Sequence, residues 1–246
     1  MHRKMQIWFL ALFIMTGLML GSCAQQAPDT GTATTQSSVP EQVPDRGQRQ
    51  NALPRLEGMA TVELTIDGSR VAIEVDGTNA PITAGNFVDL VHRGVYDGLM
   101  FHRVVREPDP FVVQGGDPKS KDPNVPAQRL GSGGFVDPVT QRARYIPLEI
   151  KPDGAQEPLY SQLLKSKPPQ LKHSRGAVAM ARSQMPDSAS SQFYIALANL
   201  AFLDGSYAVF GYVTEGMDVV DKIQQGDRIT AAKVTQGLQY LKTSEN

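Results

Sequence analysis

Four blocks hold the side chains whose types and spacing suit chemistry. They are Phe101-His102-Arg103, Phe111-Val112-Val113-Gln114-Gly115-Gly116-Asp117, Ser191-Gln192-Phe193-Tyr194-Ile195 and Phe202-Leu203-Asp204-Gly205. Together they offer an arginine, two amides and several aromatic rings. Such a set lines an apolar groove with a few fixed hydrogen-bond donors, which suits peptide binding. A plainer reading stands beside it: Phe101, Phe193 and Phe210 suit a core, and Arg103 a surface charge. Covalent catalysis has no visible basis. There is no Gly-x-Ser-x-Gly elbow, no phosphate loop, and no Ser or Cys nucleophile with a recognisable base. Gly131-Ser132-Gly133-Gly134 is too irregular for a dinucleotide loop. His2, His92, His102 and His173 are not spaced as a metal pair on a helix face, so no metal site is expected.

The elements around these blocks are mostly strands. Val62, Leu64 and Ile66 alternate with polar partners, as do Val71, Ile73 and Val75, with Asp67-Gly68-Ser69 between them. This predicts a hairpin. Asn79-Ala80-Pro81 opens a helical pattern in which Ala84, Phe87, Val88 and Val91 share a face and Gly94 suits the stop. His92 falls just off that face and reads as a surface residue. Further β-rich runs cover 100–105, 111–114, 176–181, 192–197 and 207–214. A second helix is predicted over 217–225, with Met217, Val220 and Ile223 inward and Gly226 after it. Many strands with two helices point to a mainly β protein, a sheet closed on itself with helical caps. Periodicity alone does not separate a barrel from a sandwich.

The segment 118–170 breaks this rhythm. It holds nine of the 17 prolines and the 131–134 glycine run. It reads as a long loop insertion, with a short strand over 145–150 and the rest on the surface.

Composition limits the function classes. The chain has 246 residues, 41% of them hydrophobic, so a sizeable core is available. With 24 basic and 25 acidic residues the net charge is −1. So neutral a chain lacks the basic footprint that nucleic-acid binding needs. Cys23 is the single cysteine, so no internal disulfide and no cysteine zinc cluster can form.

The N-terminus reads as an export signal over 1–22. Arg3 and Lys4 precede an apolar stretch from Ile7 to Leu20, which ends in small residues. That stretch falls short of the roughly 20 residues that a spanning helix needs. Leu20-Gly21-Ser22-Cys23 resembles the lipobox of bacterial lipoproteins. The resemblance implies cleavage before Cys23, acylation of its thiol and anchoring to a membrane of the bacterial envelope. From Ala24 to about Arg55 the sequence is rich in Gln, Thr, Ser and Pro and has no aromatic residue. It lacks the apolar surface that would offset ordering entropy. Residues 23–57 therefore read as a lipid-anchored flexible linker and 58–241 as one domain.

The four blocks resemble the signature of the cyclophilins. They occur in family order with Met180-Ala181-Arg182 and Val209-Phe210-Gly211, and the likeness runs from about Ala60 to Ile223. It implies a peptidyl-prolyl cis-trans isomerase on a closed eight-stranded antiparallel barrel capped by two helices. It implies no cofactor and no metal, and proline-containing polypeptides as clients. A monomer is expected.

Site roles follow the resemblance residue by residue. Arg103 matches the catalytic arginine, Phe111 the aromatic floor of the proline pocket and Val112 its apolar neighbour. Gln114 matches the glutamine that holds the substrate backbone. Ala181 and Arg182 match the pair running alongside the substrate, the second through main-chain groups. Gln192 and Tyr194 match the far wall, where phenylalanine is more usual than Tyr194. Phe202 and Leu203 match an aromatic-leucine pair, and Tyr207 falls where many eukaryotic members carry histidine. Two departures bear on function: the link between Arg103 and Phe111 is longer than usual, and so is the 118–170 insertion. Multi-proline insertions resemble those of photosynthetic, lumen-type members, some of which act in assembly. A binding module or assembly chaperone with little isomerase activity is thus the alternative.

Overall fold

The computed structural model describes residues 52–243. The strands are β1 (Arg55–Leu56), β2 (Met59–Ile66), β3 (Ser69–Asp76), β4 (Arg103–Val105), β5 (Val112–Gly115) and β6 (Glu149–Ile150). They continue with β7 (Leu159–Tyr160), β8 (Ala177–Met180), β9 (Phe193–Ala196), β10 (Val209–Glu215), β11 (Ile229–Gln236) and β12 (Leu241–Lys242). Helix α1 covers Pro81–His92 and α2 covers Met217–Val220. Eight strands form one antiparallel sheet in the order β11-β2-β3-β10-β8-β9-β5-β4.

The predicted hairpin is present. Asp67 and Gly68 both take positive φ, 47° and 78°, as a tight two-residue turn requires, and β2 pairs with β3 from Ile66↔Ser69 to Met59↔Asp76. Helix α1 also starts and stops as its sequence suggests. Pro81 stands in its first turn, and Gly94 takes φ +67° just past its end. The N–H of Gly94 donates to Val91 O at 3.0 Å and that of Val95 to Leu90 O at 3.0 Å, the pairing that closes a helix C-terminus.

The closed barrel expected from the sequence is corrected to a curled, open sheet. Its end strands β4 and β11 share no ladder. The gap is spanned outside the strands, where Phe101 N donates to Asp227 O at 2.8 Å and Ile229 N to Leu99 O at 2.9 Å. Strand β4 has only three residues and begins beyond these contacts, so strand-to-strand closure has no partner to use. Strand β11 was not predicted, because Ile229–Gln236 is mostly Ala and polar residues.

Helix α2 is shorter than predicted. After Val220 the backbone tightens, with Lys222 N bonded to Val219 O and Ile223 N to Val220 O. Arg106 Nη2 takes the carbonyls of Val220 (3.2 Å) and Asp221 (2.7 Å). Val220 and Ile223 are buried as expected.

The domain also begins before residue 58. Leu56 is fully buried, β1 pairs with β12, and Leu53 packs on the core. The linker expected to run to residue 57 therefore ends earlier. The lone apolar residues Leu53 and Leu56 gave no period to detect. Residues 1–51, including Cys23 and the expected signal, lie outside the described residues.

The insertion is not merely a surface loop. Phe135, Ile146, Leu148, Ile150 and Leu164 are buried, and the strand expected over 145–150 is confined to β6, paired with β7. Glu149, 1% exposed, accepts from the N–H of Ile82 at 3.1 Å and Thr83 at 2.7 Å. Helix α1 has no side-chain cap of its own, so the insertion supplies one. Burial raises the Glu149 pKa, and the N–H groups of Thr83 and Ile82 oppose that.

The sheet has two differently used faces. Phe193, Ile195, Val178, Met180 and Val113 point into the main core with Phe87 of α1. Phe87, Tyr96, Phe193 and Phe210 make its aromatic centre, with ring centroids 4.9–5.4 Å apart. Alternate residues Val112, Ala179, Tyr194 and Ala196 form a second apolar cluster on the other face.

Candidate active site

That second face carries a groove of about 260 Å³ lined by Arg103, Phe111, Val112, Gln114, Ala181, Arg182, Tyr194, Leu203 and Tyr207. All nine were singled out from the sequence. Strand register explains the grouping. Arg103 on β4 pairs with Gln114 on β5, which pairs with Tyr194 on β9, so three adjacent strands set three side chains in a row.

The longer link after Arg103 does not displace Phe111. Val105 pairs with Val112, and Phe111 N donates to Val105 O at 3.0 Å while Phe111 O accepts from Leu197 N at 2.8 Å. The extra residues bulge beyond the hairpin end. The Arg103 guanidinium lies 5.5 Å from the centroid of the Phe111 ring, and its Nη1 donates to Gln114 Oε1 at 3.3 Å. An exposed cation thus stands over an aromatic floor.

Arg182 contributes shape more than a free charge. Its Nε and Nη2 donate to Ser206 O at 3.0 and 2.7 Å, its Nη1 donates to Ser183 O at 2.7 Å, and its guanidinium covers the Tyr207 ring at 4.7 Å. Tyr194 and Tyr207 meet edge to face at 6.0 Å.

Gln192 and Phe202 do not line this groove. Gln192 lies behind Gln114, accepting from Gln114 Nε2 at 3.1 Å, and borders a neighbouring cavity of about 570 Å³. Phe202 is 72% exposed and stacks on Phe111 with centroids 6.0 Å apart, extending the aromatic rim.

Sequence reading missed what stands behind Tyr194. The carboxylate Oδ1 of Asp204 lies 2.8 Å from both the backbone N and Nδ1 of His173, and Nε2 of His173 lies 2.9 Å from the Tyr194 hydroxyl. A carboxylate only accepts, so Nδ1 carries the proton and Nε2 accepts from Tyr194. Burial lowers the His173 pKa, and Asp204 opposes that. Asp204 lies in one of the four blocks, but nothing in the sequence pairs it with a histidine 31 positions away.

Comparison with known proteins identifies the family. Residues 61–244 match the family described as cyclophilin type peptidyl-prolyl cis-trans isomerase/CLD. A putative thylakoid lumen peptidyl-prolyl cis-trans isomerase of Synechocystis sp. is 40% identical over 203 residues, covering 77% of this chain. This chain spans 50% of that protein's length. A peptidyl-prolyl cis-trans isomerase of Streptomyces antibioticus is 34% identical over 174 residues, 68% of this chain and 84% of that protein. The fold is shared with a Cryptosporidium parvum cyclophilin type isomerase crystallised in the presence of the dipeptide Ala-Pro. That match has a TM-score of 0.53 and 24% identity, over 72% of this chain and 99% of the other. With the family match spanning the sheet, the groove and all four blocks, the chain belongs to the cyclophilin-type peptidyl-prolyl cis-trans isomerases.

Proposed function

We propose that this protein accelerates rotation about Xaa-Pro peptide bonds in exported polypeptides. The observation that carries the reading is the Arg103 guanidinium, 5.5 Å over the Phe111 ring at the mouth of the apolar groove. The prolyl amide resists rotation by about 18–20 kcal/mol because of its partial double bond. No nucleophile or base is required. As the bond twists, the prolyl nitrogen turns pyramidal and basic, and a donor aimed at it lowers the barrier. Arginine suits this role because it stays charged and presents a rigid fork of donors.

The other groove residues would hold the ends of the rotating bond. Phe111, Val112, Tyr194 and Leu203 clamp the proline ring. Gln114 holds the substrate backbone, Ala181, Arg182 and Tyr207 flank it, and Gln192 stands behind Gln114. The Ala-Pro dipeptide named with the Cryptosporidium structure supports a proline-containing ligand. The β4–β5 pairing counts against the binding-module alternative, because the long link leaves Arg103 and Phe111 together.

Export and anchoring belong to the same reading. The basic and apolar start, Cys23 and the polar linker fit a lipoprotein held at an envelope membrane, assisting folding of exported clients. The lumenal location in the Synechocystis relative's name supports an exported compartment. Turnover of a prolyl peptide by the full-length protein tests the activity. Binding without turnover would move the assignment to the alternative.

A further inference from the structure

A chain of directed hydrogen bonds runs from Arg103 into the insertion. Arg103 Nη1 donates to Gln114 Oε1 at 3.3 Å, Gln114 Nε2 donates to Gln192 Oε1 at 3.1 Å, and Gln192 Nε2 donates to Gly133 O at 2.7 Å. Both ends fix its direction. A guanidinium has only donors, and a peptide carbonyl only accepts. Gln192 must turn its NH₂ to Gly133, leaving its oxygen for Gln114. Gln114 must then turn its NH₂ to Gln192, leaving its oxygen for Arg103.

The far end of the chain is rigidly held. Asp117, fully buried just past β5, accepts through Oδ2 from Gly131 N at 2.6 Å and Gly133 N at 3.1 Å, and through Oδ1 from Lys119 N at 2.9 Å. A Cβ on Gly133 would overlap Asp117 Oδ1, so only glycine fits against the carboxylate. Beyond it, Phe135 N donates to Ser190 Oγ at 2.9 Å. Residues 131–135 form a strap stitched to the sheet from two sides.

We propose that Asp117 and this glycine strap are positioning elements for Arg103, acting through the amide polarity of Gln192 and then Gln114. The strap carbonyl decides which atom of Gln114 faces the guanidinium, and so holds the cation over Phe111. If the strap moves, either amide is free to turn. A turned Gln114 presents NH₂ to Arg103 and repels it. The inference rests on the reading of Arg103 as the catalytic donor. It also gives the first part of the insertion a function beyond packing.

The test uses Gly133→Ala and Gln192→Met in the full-length protein, alone and in a Gln114→Ala background. Gln192→Met keeps chain length and leaves the strap seated, so it serves if Gly133→Ala does not fold. In the parent background, each variant should lose about 10- to 100-fold in kcat/KM for a prolyl peptide, the scale of a small misplacement. In the Gln114→Ala background the same change should cost nothing further, because the link is already cut. Equal losses in both backgrounds would overturn the proposal. Side-chain ¹⁵N resonances give an arm independent of turnover: both variants should move those of Gln114 Nε2 and Arg103 Nε. If Arg103 Nε stays put, the relay does not exist. If the parent lacks turnover, the catalytic reading fails, and the resonance arm alone decides the relay.

Discussion

Tyr194 donates its hydroxyl to Nε2 of His173 at 2.9 Å, and the two rings stack with an interplanar angle of 17°. One face of the groove wall is thereby tied to the buried His173 and its half-buried partner Asp204 rather than left as a loose ring. The groove uses the ring, while the hydroxyl serves the packing behind it.

Tyr194→Phe should therefore separate folding from activity. The ring and its contact with Tyr207 remain, so peptide turnover should stay close to the parent's. His173 Nε2 loses its partner in a buried site, which should cost about 1–2 kcal/mol of stability. Thermal melting and a turnover assay check both halves. A collapse in turnover would give the hydroxyl a role in the groove.

His173 should also make stability depend on pH. Burial holds its pKa below the ordinary 6.5, so the folded state binds fewer protons than the unfolded one between the two values. The stability tied to neutral His173 is present above the unfolded value and is lost as pH falls through the folded one. His102, whose pKa burial also lowers, works in the same direction, so the comparison must be between variants. Between about pH 7.5 and 5, the parent should lose more stability than His173→Gln. Parallel losses would remove His173 from the effect.

Glu149 should matter to folding although it lies far from the groove. Glu149→Ala leaves the N–H groups of Ile82 and Thr83 buried without an acceptor, and the expected cost is about 2–3 kcal/mol. Glu149→Gln keeps one acceptor oxygen and should cost less. Denaturant unfolding ranks the three proteins. Equal stability of the parent and the alanine variant would show that water replaces the carboxylate.

The parts of this fold written in local chemistry were legible in the sequence. Asp67-Gly68 specifies a turn, and Pro81 and Gly94 bracket a helix whatever surrounds them. The groove residues were legible through the family resemblance, which assigned them position by position. What was not legible depends on distant partners. Glu149 caps a helix 66 residues upstream, β1 exists only because β12 lies beside it, and Gln192 is aimed by a carbonyl 59 residues away. Strand β11 has a weak pattern of its own and owes its conformation to pairing with β2. The closed barrel failed for a related reason. Strand count predicts curvature, but closure depends on whether the last two strands reach each other.

Membrane attachment should depend on Cys23. The linker after it has no apolar stretch to insert, and more than one acyl chain is needed for lasting anchoring. Cys23→Ser, expressed with the native signal, should lose both incorporation of labelled fatty acid and cleavage before residue 23. Labelling and processing equal to the parent's would contradict the lipid anchor.

The central claim is that Arg103 lowers the barrier to prolyl rotation, and Arg103→Ala tests it most directly. Turnover of a prolyl peptide and thermal melting should be measured on the same samples. Loss of one preorganised donor should lower turnover by roughly 100- to 1000-fold, or about 2.7–4 kcal/mol. Arg103 is exposed and makes one side-chain hydrogen bond in the groove, so stability should change by no more than about 1 kcal/mol. Turnover retained within about threefold of the parent's, or less than about 0.7 kcal/mol of barrier, would contradict the account.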